Sequence, residues 1–528
     1  MRKAMLGMLL AGLVICTAAV LTTAENVGGT LTISSTQSLA HMNPLIGKGI
    51  YGYYAANSIF DSLVTIDPVT LQPAPMIAKA WDVSEDAKVF TFYLNEGIEF
   101  TNGEALTAED VKFSLDWTQD PANASAQMSM YSGFESVEVI DDYTLRITAK
   151  ESYPAGLTAL QIRILPMDTF LEMGAEAFDS NPVGSGPYMM ESWVKGSQLT
   201  LVRNANYWLK MPNLDRVVIR VIPDVTTAEL ELETGGIDIT DTILPQDIER
   251  FKAMSTVDVK QVPGLSTQFI GFNAVREPYS NLDFRKAVIQ SIDMEKVINA
   301  VFPYGGVTRA YGLVPASLWA NDREWLAENG TLCEDDTSAK ATFDRLKAEG
   351  IIPDKFKMTI LCPPDANRRK VSTILAGNLI QNGIDAEVSP LEWGVYLDIL
   401  FSGQADVYLL GWTGVGTALD PNEFLSAPYK SANSACSTGG YNMSCYFDAE
   451  VDEALNCADT IPNHDERETL YVQAQRIVIG RDHVHLPTYH EPITRGVSTH
   501  VHDFTVSPSL QVPFRLCTPF NNVWVDAE

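Results

Sequence analysis

The chain has 528 residues, 46% of them hydrophobic, and a formal net charge of -30 at pH 7. Such a length is too great for one hydrophobic core, so it predicts two or three domains. The negative charge repels nucleic-acid phosphates and anionic lipid headgroups, which argues against nucleic-acid binding and against peripheral binding to a membrane.

The N-terminal segment has the layout of a secretory signal peptide. Arg2 and Lys3 precede an uncharged apolar run over residues 4–21, and small residues follow that run. The run is shorter than the roughly 20 residues that a membrane span needs. Cys16 follows a bulky residue, which argues against lipid modification of this cysteine. We therefore predict cleavage of residues 1–24 and a free periplasmic protein.

Two alternating patterns near the start of the mature chain predict β-strands. The first covers residues 29–34, and the second covers residues 89–94 with its aromatic residues on one face. A helix is predicted to begin at Thr107, because its hydroxyl can cap the helix while Asp110, three residues later, reaches back. This arrangement is a capping box.

The middle of the chain continues the same alternation of strands and helices. Residues 198–202 have a strand pattern, and Phe284, Val288 and Ile292 recur at helical spacing. Interleaved strands and helices predict α/β domains rather than a helical bundle or a β-sandwich. No low-complexity tract or short repeat interrupts the chain, which indicates one continuous globular unit.

Six of the seven cysteines belong to the mature chain, and all six lie in its C-terminal half: Cys333, Cys362, Cys436, Cys445, Cys457 and Cys517. An even number of cysteines in an exported protein is typical of disulfides, although the sequence leaves the pairing open. The spacing Cys-x-x-Cys does not occur. The sequence therefore gives little support to a structural zinc site or a thioredoxin-like redox centre.

A series of motifs occurs in one order along the mature chain. The longest covers residues 73–117, where PMIAKAW precedes FTFYL, and NG precedes LTAEDV. Further motifs lie at residues 182–188, 203–208, 285–293, 383–412 and 467–487. Together they resemble the extracellular solute-binding proteins of family 5, which serve oligopeptide, dipeptide and nickel importers. The resemblance covers nearly all of the mature chain.

The resemblance implies a two-lobed α/β fold of the Venus-flytrap type, with an extra domain inserted in the first lobe. The implied parts are lobe I at residues 25–65, 193–271 and 490–528, the inserted subdomain at 66–192, and lobe II at 272–489. The chain would then cross between the lobes twice and form a hinge at Gly271, Phe272 and Asn273 and at Pro487, Thr488 and Tyr489.

The resemblance also implies the substrate-binding component of an ABC importer. Such a protein captures a peptide or peptide-like solute by hinge closure, and the importer's permease subunits then recognise the closed form. We expect a monomer without a cofactor, whose partners are this ligand and the permease.

The best candidate for a ligand-binding segment is the glycine-rich stretch 411–421, which follows the apolar strand 405–410. Its open backbone can hydrogen-bond an extended peptide while a tryptophan packs against the peptide. The alternative is a surface turn with a buried tryptophan. The candidate ligand-binding residues of this segment are Trp412, Thr413, Gly414, Val415, Gly416 and Asp420.

The charged anchors of the family's dipeptide-binding members are missing. Those members have an aspartate, which pairs with the ligand ammonium group, where this chain has Val415. Their Arg-Pro-Tyr, which holds the ligand carboxylate, corresponds here to residues 361–364, Leu-Cys-Pro-Pro. Unpaired buried charges are costly, so free dipeptides are disfavoured as ligands. Asp420 is a candidate substitute partner for a cation, and Arg368 or Arg369 for an anion.

Family relatives place a bridged loop between the glycine-rich segment and the helix that here contains Val451 and Leu455. The resemblance therefore implies a disulfide between Cys436 and Cys445. Such a bond would stabilise the fold mainly by restricting the unfolded chain. The pairing of the other four mature-chain cysteines stays open.

Two further classes of function compete with this interpretation. An enzyme is disfavoured because Gly-x-Ser-x-Gly, Walker A and His-Glu-x-x-His motifs do not occur, so we expect no catalysis. A metal or metal-chelate ligand is an alternative, because five histidines crowd the C-terminal region: His483, His485, His490, His500 and His502. An oligosaccharide or another small organic solute on the same scaffold is also an alternative, since fold does not fix function.

Overall fold

The computed structural model describes residues 27–46, 52–125, 127–330, 332, 334–413, 419–509 and 516–526. The predicted signal segment 1–24 and Cys333 lie outside these ranges. No helix within them is long and apolar enough to cross a membrane.

The strands are, in chain order, β1 Thr30–Ser35, β2 Val64–Ile66, β3 Pro73–Pro75, β4 Ala78–Val83, β5 Val89–Leu94, β6 Phe134–Asp141, β7 Thr144–Ala149, β8 Tyr188–Val194, β9 Gln198–Arg203, β10 Arg216–Val221, β11 Val257–Phe272, β12 Thr308–Arg309, β13 Lys357–Cys362, β14 Asp385–Pro390, β15 Val407–Thr413, β16 His485–Ser498, β17 Val501–His502 and β18 Trp524–Val525.

The α-helices are α1 Gly52–Ile59, α2 Ala108–Gln119, α3 Met128–Tyr131, α4 Gly156–Ala159, α5 Met167–Met173, α6 Ala175–Ser180, α7 Val225–Thr234, α8 Ile248–Lys252, α9 Leu282–Gln290, α10 Met294–Val301, α11 Arg323–Trp325, α12 Asp336–Ala348, α13 Ala366–Gln381, α14 Trp393–Phe401, α15 Asn422–Tyr429, α16 Ala435–Thr438, α17 Ala449–Thr460 and α18 His464–Gln475. Short 3₁₀ turns lie at Pro121–Asn123, Pro245–Asp247 and Ser431–Asn433, and π-helical turns at Leu326–Gly330 and Arg476–Arg481.

Lobe I is built on a four-stranded sheet with the order β1-β10-β9-β8. β1 runs parallel to β10, whereas β9 is antiparallel to both of its neighbours. The strands predicted at residues 29–34 and 198–202 are β1 and β9. β8 begins at Tyr188, so this sheet includes the last residues of the segment 66–192 that the sequence assigned to the inserted subdomain.

The inserted subdomain contains an antiparallel sheet with the order β4-β5-β7-β6. Phe90 and Phe92 of β5 are fully buried, as their alternation predicted. They belong to the same hydrophobic cluster as Leu31 and Ile33 of β1, so the subdomain and lobe I share one core. The predicted capping box is present at the start of α2, where the backbone N–H of Thr107 donates to the Asp110 carboxylate at 2.8 Å.

Lobe II is built on a six-stranded mixed sheet with the order β12-β16-β11-β15-β13-β14. β13 runs parallel to both β14 and β15, and helices cover both faces of the sheet. Phe284 and Val288 lie on α9 and are fully buried, as their spacing predicted. Ile292 is buried in the same cluster but lies beyond the end of α9.

Two long paired strands, β11 and β16, run from one lobe into the other. In the first part of β11 and the last part of β16, the pairing extends from Val257 opposite Ser498 to Pro263 opposite Pro492. Beyond this point the register of the two strands shifts. Both prolines lack an N–H group, so neither can donate to the ladder at the point where it breaks. From Ser266 onward β11 also pairs with β15 of lobe II. The ladder between the two strands is therefore interrupted at its proline pair.

The predicted crossing points lie beyond that break, inside the sheet of lobe II. Gly271 and Phe272 pair with Tyr408 and Val407 of β15, and Asn273 follows directly. On the other strand, Pro487, Thr488 and Tyr489 all belong to the part of β16 that pairs within lobe II. These residues are buried among sheet neighbours, and the hinge there stays a prediction.

Candidate functional site

The order of the parallel strands in lobe II creates a crevice at one edge of the sheet. The chain runs from β13 to β14 on one side and then returns past β13 to β15 on the other. In open α/β sheets, ligands bind at the carboxyl ends of the strands where the strand order reverses in this way. Cys362 ends β13 and Thr413 ends β15, so the segments after these two residues border the candidate site.

Arg368 is held at this crevice by local structure. α13 begins directly after β13, and its cap Asp365 accepts a hydrogen bond from the backbone N–H of Arg368 at 2.8 Å. The Nε of Arg368 donates to Gln268 Oε1 of β11 at 2.9 Å. A Cβ atom added at Gly411 would lie 2.6 Å from Arg368 Nη2 and 2.4 Å from the Gln268 amide, so glycine leaves room for both side chains.

The Arg368 guanidinium has no carboxylate partner within ion-pair distance among the described residues. Its neighbour Gln268 is itself oriented by Ser266, whose Oγ accepts from the amide Nε2 at 3.2 Å. Arg369, by contrast, lines a surface groove between α10 and α13 with Ala300 and Val301. Of the two arginines that the sequence suggested, Arg368 is therefore the one beside the crevice.

The beginning of the glycine-rich segment lies at the same edge of the sheet. Trp412 is half-buried and packs edge-on against Tyr441 with 5.7 Å between ring centroids. The Thr413 hydroxyl donates to Ser266 Oγ at 3.4 Å. Gly414, Val415 and Gly416 lie outside the described residues.

Asp420 is buried and already paired. Arg467 Nη2 donates to both of its carboxylate oxygens at 2.8 Å, and the Tyr471 hydroxyl lies 3.4 Å away. Desolvation raises the pKa of Asp420, and the Arg467 guanidinium opposes that effect. The guanidinium also lies over the ring of Trp319, at 5.1 Å from its centroid. The role suggested by the sequence, a partner for a ligand cation, is therefore not supported, because this carboxylate already neutralises Arg467.

A cavity lies next to that ion pair, between the inserted subdomain and lobe II. It has a volume of about 460 Å³. Its walls include Phe90 and Pro154 from the subdomain, and Trp319 and Leu419 from lobe II. Near it, the Ser152 hydroxyl donates to the Thr460 carbonyl, and Ile66 and Leu71 of the β2–β3 hairpin pack into the core of lobe II. The first lobe and its insert thus contact lobe II outside the strand crossing.

Sequence reasoning did not single out Glu491. It lies between Pro492 and His490, at the break between the two halves of β16, and its side chain is exposed. Desolvation nevertheless raises the pKa of its carboxyl, and Arg368 opposes the increase. The available sequence signal was the acidic residue directly before a proline in a long strand.

The five C-terminal histidines do not form a metal site. His485 hydrogen-bonds to the hydroxyls of Tyr429 and Ser444 at 2.7 and 2.9 Å, and burial lowers its pKa to about 3. The other four have separate surroundings. His490 bonds to Thr267, His500 and His502 pair with Asp238 and Asp526, and His483 is buried beside α9. Among described residues, the one group with ligand spacing is the exposed set His464, Asp465 and Glu468.

The disulfide implied by the resemblance is present between Cys436 and Cys445. The wider expectation that the even number of cysteines means further pairing is wrong for Cys362, Cys457 and Cys517, which are free thiols. Cys362 is buried in the core of lobe II, whereas Cys517 is buried in the core of lobe I, so these two thiols are too far apart to bond.

Removing the disulfide should destabilise the protein measurably. The bond closes a short loop with a sequence separation of 9 residues. For the double substitution Cys436→Ala and Cys445→Ala, loop-closure entropy predicts a decrease in the free energy of unfolding of about 2–3 kcal/mol. Urea unfolding followed by circular dichroism measures the change. Cys457→Ala is the control, because it removes a free thiol, and equal stability of the two variants would contradict the prediction.

Known proteins of one family are similar to this chain along most of its length. Residues 72–436 match the family described as bacterial extracellular solute-binding proteins, family 5 middle. Heme-binding protein A of Haemophilus influenzae is 27% identical in an alignment of 493 positions, and the match covers 88% of this chain and 87% of that protein. The dipeptide-binding protein of Escherichia coli K12 is 26% identical, over 86% of this chain and 88% of that protein.

Solved structures have the same two-lobed fold. HbpA2 from Haemophilus parasuis superposes with a TM-score of 0.83 at 23% identity. The superposition covers 94% of this chain and 100% of the HbpA2 chain. DppA from Helicobacter pylori, in complex with the peptide STSA, superposes with a TM-score of 0.74 at 25% identity, over 95% of this chain and 99% of its own. The chain belongs to the bacterial extracellular solute-binding proteins of family 5.

Proposed function

We propose that this protein is the periplasmic substrate-binding component of an ABC importer and that its ligand is a peptide or a peptide-like solute. The observation that carries the proposal is the long pairing of β11 with β16 beside an open crevice. This pairing continues from the six-stranded sheet past a register break, and Ile239 bridges it to β1 of the four-stranded sheet. The match to a dipeptide-binding protein along most of both chains supports a peptide as the ligand.

The proposed hinge lies at the proline pair. Pro263 opposite Pro492 interrupts the ladder, and Gly264 approaches the Glu491 carbonyl so closely that an added Cβ atom would lie 2.4 Å from it. A change of backbone angle there costs few hydrogen bonds, because the ladder is already broken. Closure would bring lobe I over the crevice of lobe II, and a ligand that contacts both lobes favours the closed state.

The crevice offers the groups that an extended peptide needs. Arg368 supplies a cation for the ligand carboxylate, in place of the arginine that the family's dipeptide-binding members have in the stretch corresponding to residues 361–364. The β15 backbone at Gly411 and the ring of Trp412 supply a polar edge and an apolar wall. In this proposal the ligand is held and released unchanged. The protein acts as a monomer that presents its closed form to the permease.

Two measurements test the proposal together. Native mass spectrometry of the protein purified from its periplasm should show a bound peptide. Small-angle scattering should show a smaller radius of gyration after the stripped protein is given that peptide again. A bound mass that matches a carbohydrate or a metal chelate would favour the alternatives. An unchanged scattering profile with every bound compound would contradict capture by closure.

A further inference from the structure

The β2–β3 hairpin connects two hydrophobic cores. Val64, the first residue of β2, is fully buried in the core that lobe I shares with the inserted subdomain. Ile66, two residues later, and Leu71 at the tip of the hairpin are buried instead in the core of lobe II. All other described members of that core lie between residues 265 and 484. These two side chains therefore enter lobe II from a distant part of the chain.

Leu71 has an unusual backbone conformation. Its φ angle is 58°, in the left-handed region that leucine rarely adopts. The Asp67 carboxylate stabilises the turn, because it accepts from the N–H groups of Val69 and Thr70 at 2.8 and 2.9 Å. The Asp67 carbonyl accepts from the Leu71 N–H at 2.9 Å. A strained residue of this kind costs free energy and persists where the surrounding structure compensates for it, which is common in segments that switch between two positions.

The packing beside the hairpin is incomplete. Gln72 and Pro73 follow Leu71 directly, and both line the cavity of about 460 Å³. Trp319 and Leu419 of lobe II line the same cavity. The interior of a domain is close-packed, with few voids larger than a water molecule. A void of this size next to a buried leucine therefore indicates two surfaces that meet and separate, rather than one permanent core.

The position of the hairpin couples its tip to closure. The base of the hairpin packs in the core of lobe I, so a movement of lobe I relative to lobe II carries the tip with it. Withdrawal of the tip would expose Ile66 and Leu71 to water. Burial of one such side chain favours the docked position by roughly tenfold to a hundredfold in the equilibrium constant. The tip can therefore change how long the closed form lasts.

We propose that Ile66 and Leu71 at the tip of the β2–β3 hairpin form a latch, which inserts into lobe II when the lobes close and withdraws when they open. The latch slows reopening, so it lengthens the time for which a captured solute stays bound. The inference rests on the proposed closure of the lobes and goes beyond it, because it assigns a mechanical role to two apolar residues.

The first test compares melting temperatures of the full-length protein after its bound material has been removed. In this open state a withdrawn latch leaves Leu71 exposed. Leu71→Ala should therefore lower the melting temperature by at most about a third of the shift that Leu455→Ala causes. Leu455 is the matched control, because it is a fully buried leucine of the same core and lies on α17. Equal shifts would show that Leu71 belongs permanently to this core and would overturn the inference.

The second test follows the compound that co-purifies with the protein, by native mass spectrometry at successive times after dilution. Leu71→Ala should lose the bound mass at least about tenfold faster than wild-type protein. Ile66→Val, a milder change in the same latch, should accelerate the loss by a smaller factor. Leu171→Ala, which shortens an exposed leucine of the inserted subdomain, should match wild-type protein in both tests.

The two tests separate the latch from the proposed function. Release from Leu71→Ala at the wild-type rate would overturn the latch alone. Wild-type protein that carries no bound mass would count against the proposed function, and the melting temperatures would still decide whether the hairpin withdraws.

Discussion

Replacing Arg467 with methionine is expected to lower the free energy of unfolding by about 3–5 kcal/mol. Arg467 and Asp420 are both buried, and the arginine donates to both carboxylate oxygens at 2.8 Å. Without the guanidinium, the Asp420 carboxylate remains in the interior with no counter-charge. Arg467→Met also removes a hydrogen bond from Nε to the Ala458 carbonyl. Urea unfolding at pH 7.5, with and without the substitution, measures the loss.

Two further variants separate the ion pair from other effects of this substitution. Arg345→Met removes an exposed arginine that contacts Glu349 and Asp283, and it should cost less than about 1 kcal/mol. Combining Arg467→Met with Asp420→Asn removes both charges, so it should recover part of the stability that Arg467→Met loses. Equal stability of Arg467→Met and Arg345→Met would show that the buried ion pair does not contribute this free energy of unfolding.

Local patterns in the sequence were sufficient to predict local structure. The alternation around Phe90 predicted β5, and the Thr107–Asp110 spacing predicted the start of α2, because both signals depend on residues a few positions apart. The motifs distributed along the chain were sufficient to predict the family. They identified the scaffold through residues that mostly pack in its cores.

The site was predicted only in part, because it depends on contacts between distant residues. Asp420 looked available for a ligand since its partner Arg467 lies 47 positions later in the chain. Arg368 and Gln268 come into contact only after β13 and β11 take their places in one sheet. The register break also depends on distant residues, because Pro263 and Pro492 face each other across the ladder.

Replacing Glu423 leads to a second prediction with a large effect, and the size of this effect depends on pH. It lies in the first turn of α15, directly after the glycine-rich segment, and its Oε2 is buried without a hydrogen-bond partner. Desolvation, reinforced by the charge of Asp420, raises the pKa of its carboxyl to about 8. Between the ordinary glutamate pKa and that value, the folded protein holds a proton that the unfolded chain has released. The stability of the wild-type protein should therefore fall as pH rises through this interval.

Replacing Glu423 with glutamine removes this titration, so the variant should be more stable than wild-type protein by about 2 kcal/mol at pH 7.5. That figure is below the full linkage value because the side chain is only partly buried. The difference should become small at pH 4.5, where the wild-type carboxyl is protonated in the folded protein and about half protonated in the unfolded chain. Urea unfolding at several pH values measures this difference in stability.

Glu453→Gln, which changes an exposed glutamate on α17, is the control and should shift stability by less than about 0.5 kcal/mol at either pH. A stability difference between Glu423→Gln and wild-type protein that does not change with pH would show that Glu423 is ionised in the folded protein, and that the gain comes from packing rather than from a buried proton.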